Sequence, residues 1–192
     1  IDPNDFKAVA AYSDLSYGGM FFCSNESLNQ FVKNTIWSMK GNFVDIPTDC
    51  PQREKAGWTG DAQVFCKTAN YFADTKAFYR KWFLDIKDCQ REDGMVLDVN
   101  PRVSRPDPQR DTMNGSCGWA DAAVIIPYTL WKMTGDKSVI EDSYEVMHNW
   151  KRYIIHACED KTPLPIPGRT MLENSEWKKY VPEGGLHWGE WC

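Results

Sequence analysis

The sequence predicts an all-α fold built from antiparallel helical hairpins, and three observations carry that prediction. Apolar residues recur at three- and four-residue steps in five segments of the 192-residue chain, the spacing of an amphipathic helix. Tight links near residues 74 and 136 join neighbouring segments, as αα-hairpins require. Long polar stretches (42–61, 94–118 and 160–190) make the remaining connections. Hairpins stacked side by side gather such loops at one end, which suits an α/α toroid with loops rimming a central pocket. An ordinary helical bundle with decorated loops is the alternative.

Residues 1–23 alternate weakly and carry Gly18-Gly19 before Met20-Phe21-Phe22, which reads as strand or irregular lead-in. Ser24 or Asn25 can cap a helix over 26–40, whose apolar set is Leu28, Phe31, Val32, Ile36 and Met39; Gly41 ends it. A second helix covers 62–73 with Val64, Phe65, Thr68, Ala69 and Phe72 on one side. Asp74 or Thr75 caps a third, running to about Gln90 with Phe78, Trp82, Phe83 and Ile86 inward, and Asp93-Gly94 stops it. The most apolar helix, 119–134, is kinked or restarted at Pro127 and closes at Gly135. The last, 138–157, turns Val139, Tyr144, Met147, Trp150, Tyr153 and Ile154 inward.

Composition narrows the function classes. Hydrophobic residues make up 42% and charged residues 26%, ordinary globular usage that excludes disorder and collagen-like repeats. The longest apolar run, Ala122 to Leu130, contains Pro127 and falls short of the about 20 residues of a membrane helix, so no membrane partner is expected. The net charge is −5, with no Lys/Arg cluster longer than two residues; a nucleic-acid partner would call for a basic face. The chain starts at Ile1 with no signal peptide, which leaves the compartment open. Seven cysteines lie at irregular spacing without a CxxC pair, so free and mostly buried thiols are expected in place of a disulfide framework or zinc site. Neither metal nor cofactor is expected. Nine Trp residues exceed what a core needs. Indole rings in polar loops point to sugar binding, because the C–H faces of a pyranose pack on them.

The chemistry concentrates between Asp45 and Asp61. Four carboxylates (Asp45, Asp49, Glu54, Asp61), Arg53, Trp58 and two glycines share seventeen residues. Prolines 47 and 51 stiffen the approach, and Gly57 and Gly60 permit turns that present the indole between them. Glu54, exposed, is a solvated acid; turned inward against Trp58 near Asp49 and Asp61, it would have the raised pKa that a general acid needs. A calcium loop would place acids at alternate positions, which this spacing does not. A structural turn with surface acids remains open at this level. Cys50 has no His beside it and makes a poor nucleophile.

The string Asp49-Cys50-Pro51-Gln52-Arg53-Glu54, followed by Gly57-Trp58-Thr59-Gly60-Asp61-Ala62-Gln63, resembles the signature of glycoside hydrolase family 78, the bacterial and fungal α-L-rhamnosidases. Phe21-Phe22-Cys23-Ser24-Asn25 with Leu28-Asn29 is similar to that family's approach to its helical domain. Cys117-Gly118-Trp119-Ala120-Asp121-Ala122 and Trp188-Gly189-Glu190-Trp191 resemble two later segments. The resemblance implies an (α/α)6 barrel that removes terminal α-L-rhamnose from plant-type glycans or glycosides with inversion. By position Glu54 is the general acid. Asp49, Arg53 and Asp61 contact the rhamnose hydroxyls or tune the acid. Trp58, Trp119 and Trp191 wall the sugar ring.

Each assignment has a plainer counterpart. Asp49 can simply brace its loop, Asp61 can be an N-cap, and Trp119 can belong to the core. His148 and His156 are structural or exposed, and His187 is a weak pocket residue. Lys55-Ala56 is a shorter join than in members with a further acid after the Arg, and Glu190 stands where Asp is more usual. The family's general base lies far downstream of the acid loop, whereas this chain ends 138 residues after Glu54. None of Glu173, Glu176 and Glu183 stands in a matching segment. The chain is therefore expected to be the N-terminal half of a toroid: residues 1–23 lead in from a preceding domain, and 24–192 begin the six-hairpin domain. Its expected partners are further domains of the same polypeptide and a carbohydrate with terminal α-L-rhamnose. Alone it is expected to be inactive. Another (α/α)6 carbohydrase, or a non-catalytic carbohydrate-binding domain, is the competing reading.

Overall fold

A computed structural model describes residues 2, 5–103 and 114–159 of the chain. Five helices dominate: α1 (Glu26–Asn42), α2 (Thr59–Phe72), α3 (Lys76–Cys89), α4 (Ala122–Thr134) and α5 (Ser138–Glu159). Four two-residue strands complete the regular elements: β1 (Ser16–Tyr17), β2 (Phe43–Val44), β3 (Ile46–Pro47) and β4 (Ala73–Asp74). Strand β1 pairs antiparallel with β4, and β2 with β3. Among the described residues no helix is long and apolar enough to cross a membrane.

Local chemistry sets the helix ends. The Asn25 side chain caps α1 by accepting from the N–H groups of Ser27 and Leu28 at 3.0 and 3.2 Å. Buried Asn29 exchanges two 2.9 Å hydrogen bonds with the Cys23 backbone and fixes the approach of the preceding chain. Helix α1 runs through Gly41 to Asn42, because the Phe43 N–H still finds the Met39 carbonyl. The β2–β3 hairpin then turns at Asp45, which adopts φ 68°; the sequence reading has no hairpin there. Helix α2 starts at Thr59, ahead of the expected Ala62. Trp119 precedes α4 in a turn, and α4 runs unbroken through Pro127 to Gly135, whose φ of 72° closes it.

The core is centred on α3. Tyr79, Trp82 and Ile86 are fully buried there, with Phe43 stacked on Phe78 at 4.5 Å. Helices α2 and α4 pack on each other, and Ala62, Cys66, Ala69, Ala122, Ala123 and Ile126 all belong to the shared core. Val139, Val146 and Trp150 bring α5 onto the same core. Four residues that periodicity places on an apolar face are exposed. Val64 on α2 is 78% exposed, Tyr144 on α5 is 62% exposed, and Leu28 and Phe31 leave most of the α1 face uncovered. Helical spacing marks a face but not what covers it. The stretch after α3 also differs from a polar loop: Met95-Val96-Leu97-Asp98 and Asn100 form a buried strap.

Candidate active site

The acid loop is closed at its base by Asp49. Its N–H donates to the Ala56 carbonyl at 3.0 Å, and its carboxylate accepts the Ala56 N–H at 3.0 Å. Between these anchors the Lys55 N–H reaches Cys50 O, and Lys55 takes a left-handed φ of 53° to complete the turn. The Glu54 N–H points at Cys50 Sγ, 3.3 Å away. The brace foreseen for Asp49 is therefore present, while Asp49 also lines the cavity described below.

The loop is fastened from behind by the buried strap. Asn100 N–H donates to Gly57 O, Trp58 bridges to Val99, and the buried Trp82 indole donates to Asn100 O at 2.8 Å. Backbone approaches so closely that a Cβ on Gly57 would sit 2.0 Å from Asn100 O. Glycine is required there by space.

Glu54 stands at the front. Its Oε2 accepts the Trp58 indole N–H at 2.9 Å, and its Oε1 lies 3.3 Å from Arg53 Nη2. The side chain is 43% exposed and Arg53 is 83% exposed, so Glu54 is not turned into a desolvated position. Asp61, although part of it also reaches solvent, has a raised pKa. Loss of water around it is the leading cause; its own backbone N–H acts the other way, and the charges of Asp49 and Glu54 add to the rise. Asp61 is not an N-cap: it lies in the first turn of α2, behind the capping Trp58.

Trp119 completes the opposite wall. Its indole packs directly on Gly60, where an added Cβ would lie 2.6 Å from Nε1. Asp49, Arg53, Glu54, Trp58, Asp61 and Trp119 thus line one cavity of about 490 Å³, together with Cys50 and Gln52. A second recess of about 590 Å³ shares Asp49, Asp61 and Trp119 and extends over Phe43 and Phe65. Six of the seven residues assigned from sequence are brought together; the seventh, Trp191, lies outside the described residues, as do His187 and the acids of 160–192. Cys50 and Gln52, part of the quoted motif, were given no role there, and Asp98, buried behind the wall, left no signal in an apparent loop.

His148 and His156 are exposed on α5, away from this cavity. Among the described residues Cys66 is fully buried and the other five cysteines are half-buried, which corrects the expectation of mostly buried thiols. Among the described residues no group of three or more His, Cys, Asp or Glu is placed to hold a metal ion.

Residues 16–179 match the family model described as the bacterial alpha-L-rhamnosidase 6 hairpin glycosidase domain. The chain is 37% identical over 190 residues to an alpha-L-rhamnosidase of Formosa agariphila, covering 97% of this chain and 19% of that protein. It is 38% identical over 182 residues to one from an Alteromonas species, covering 94% and 18%. The crystal structure of Streptomyces avermitilis alpha-L-rhamnosidase complexed with L-rhamnose superposes with a TM-score of 0.71 at 36% identity, over 76% of this chain and 14% of that one. The chain spans about a fifth of the length of the curated relatives it matches. Its helical hairpins are part of a six-hairpin glycosidase fold, and the chain belongs to the bacterial α-L-rhamnosidase six-hairpin glycosidase family.

Proposed function

We propose that the polypeptide containing this chain hydrolyses terminal α-L-rhamnosides with inversion, and that the cavity between Trp58 and Trp119 holds the rhamnose ring. The observation that carries this reading is the gathering of Asp49, Arg53, Glu54, Trp58, Asp61 and Trp119 around one cavity in a member of this family. Glu54 is the general acid: it is oriented by the Trp58 indole and delivers its proton to the departing glycosidic oxygen. Asp49, Arg53 and Asp61 take the sugar hydroxyls, while Trp58 and Trp119 pack on its apolar faces.

Inversion needs a second carboxyl about 6.5–9.5 Å from the first, acting on water from the opposite face. Asp49 and Asp61 are assigned to the sugar hydroxyls in this reading, and the base comes from polypeptide outside the described residues. The substrate is a terminal α-L-rhamnoside of a plant-type glycan or glycoside, and further domains of the same polypeptide complete the site.

The test is Glu54→Gln in the full-length protein, assayed on rhamnosides with good and poor leaving groups. An acid role gives a loss of about 10²–10⁴-fold for an alkyl rhamnoside and a much smaller one for a dinitrophenyl rhamnoside. An equal loss on both substrates rejects the acid role. Asp61, whose pKa is raised, is the second reading: the same leaving-group dependence in Asp61→Asn, and not in Glu54→Gln, would assign the proton to it.

A further inference from the structure

We propose that Asp98 is a positioning residue that sets the two walls of the cavity in register. This rests on the reading above, that Trp119 packs on the sugar.

Asp98 is 2% exposed, and a buried carboxylate is costly unless its oxygens are hydrogen-bonded. It is bonded on both of its faces. The carboxylate accepts the Ser116 Oγ–H at 2.6 Å and the Ser116 N–H at 3.1 Å. The backbone carbonyl accepts the Thr59 N–H at 2.8 Å and the Thr59 Oγ–H at 3.0 Å. Its N–H donates to Asn114 Oδ1 at 3.0 Å.

These bonds run to the two elements that make the cavity and join them through one residue. Thr59 opens α2, next to Trp58 and two residues before Asp61. Ser116 carries the turn that presents Trp119, since its carbonyl accepts the N–H groups of Trp119 and Ala120 at 3.1 and 2.9 Å. The Trp119 ring then lies against Gly60, one residue from Asp61. Ser116 and Thr59 are themselves fully buried, so neither contact is exchanged with solvent. Asp121 holds the far end of the same turn through Gly118 N–H at 2.8 Å, but among its described contacts it does not reach α2. A buried ionic group of this kind contributes less to stability than an apolar residue of its size and is retained for the geometry it specifies.

Asn at position 98 keeps the shape but removes the charged acceptor and sets an NH2 against the Ser116 hydroxyl, so the short Oγ–H bond must reverse or break. The experiment is a double-mutant cycle in the full-length protein between Asp98→Asn and Trp119→Ala, read as KM for p-nitrophenyl α-L-rhamnoside. Asp98→Asn should raise KM on the order of tenfold with a smaller change in kcat, and add less than about twofold once Trp119 is gone. The same factor in both backgrounds, or no change in KM, overturns the proposal. A purely structural role would lower Tm without this coupling. Should Asp98→Asn fail to fold, Ser116→Ala removes the 2.6 Å bond and is judged by the same cycle. If Trp119→Ala alone leaves KM unchanged, the assignment of Trp119 to the sugar falls first, which separates that failure from failure of the Asp98 inference.

Discussion

The indole N–H of Trp58 donates a 2.9 Å hydrogen bond to Glu54 Oε2, four residues before it in the chain. The bond crosses the turn in which Lys55 is left-handed, so the carboxyl is aimed by its own loop. Trp58→Phe keeps the ring and removes the donor. A hydrogen bond to a charged group contributes about 1.5–3 kcal/mol, so kcat/KM of the full-length protein should fall about 10–100-fold. Unchanged kcat/KM would show that the bond does not orient the reacting carboxyl.

Asp61 carries a raised pKa because water is withdrawn from it beside Asp49 and Glu54. A carboxyl whose folded pKa exceeds its unfolded one binds more protons in the native state. Its ionisation therefore removes stability as pH rises through the interval above the ordinary value of 3.8. Asp61→Asn should raise the Tm of the folded protein at pH 7, and the gain should vanish toward pH 3. A variant less stable than wild type at pH 7 contradicts the assignment.

Asp136 behaves in the opposite sense. The Ser138 hydroxyl, the Lys76 ammonium and the Ser138 N–H hold its pKa down to about 2. The stability it lends is complete above the ordinary value of 3.8 and is lost as pH falls toward about 2. Asp136→Asn should lower Tm at pH 6, and most of that difference should be gone at pH 2, measured by thermal melts across that range. Because the group is only half-buried, salt should reduce the effect.

Gly57 is confined by the Asn100 carbonyl, 2.0 Å from where a Cβ would stand. Gly57→Ala must push the acid loop off the buried strap, at an overpacking cost of about 1–3 kcal/mol in urea unfolding. Gly135→Ala, with open space around its Cβ but φ at 72°, isolates the backbone contribution for comparison. Equal costs at the two positions would argue against the steric account.

How much was legible in the sequence depended on whether the deciding force is local. Helix periodicity, the Asn25 cap and the Gly135 stop are near-neighbour effects, and the five helices appear close to their expected positions. The acid loop could be found because its residues are consecutive. What could not be read were relations between segments. Val64 and Tyr144 obey helical spacing but meet no covering layer among the described residues. The strap at 95–100 looked like a polar loop because the Pro- and Arg-rich residues after it dominate the composition. Asp98 joins Thr59 to Ser116, contacts of which no spacing rule gives a sign. The brace at Asp49 and the half-open stance of Glu54 are likewise set by chain geometry.

The packing of α2 on α4, with Trp119 seated on Gly60, brings the first turn of α2 beside the approach to α4. A helix start carries partial positive charge from its unpaired N–H groups. Asp61 stands on one such start, and the Trp119 turn leads into the other. Three carboxyls crowd this cavity without a metal ligand set among the described residues. The paired helix starts set partial positive charge beside carboxyls that repel one another, which opposes the rise in pKa at Asp61 without cancelling it. Helix packing in the interior thereby bears on the electrostatics of the cavity.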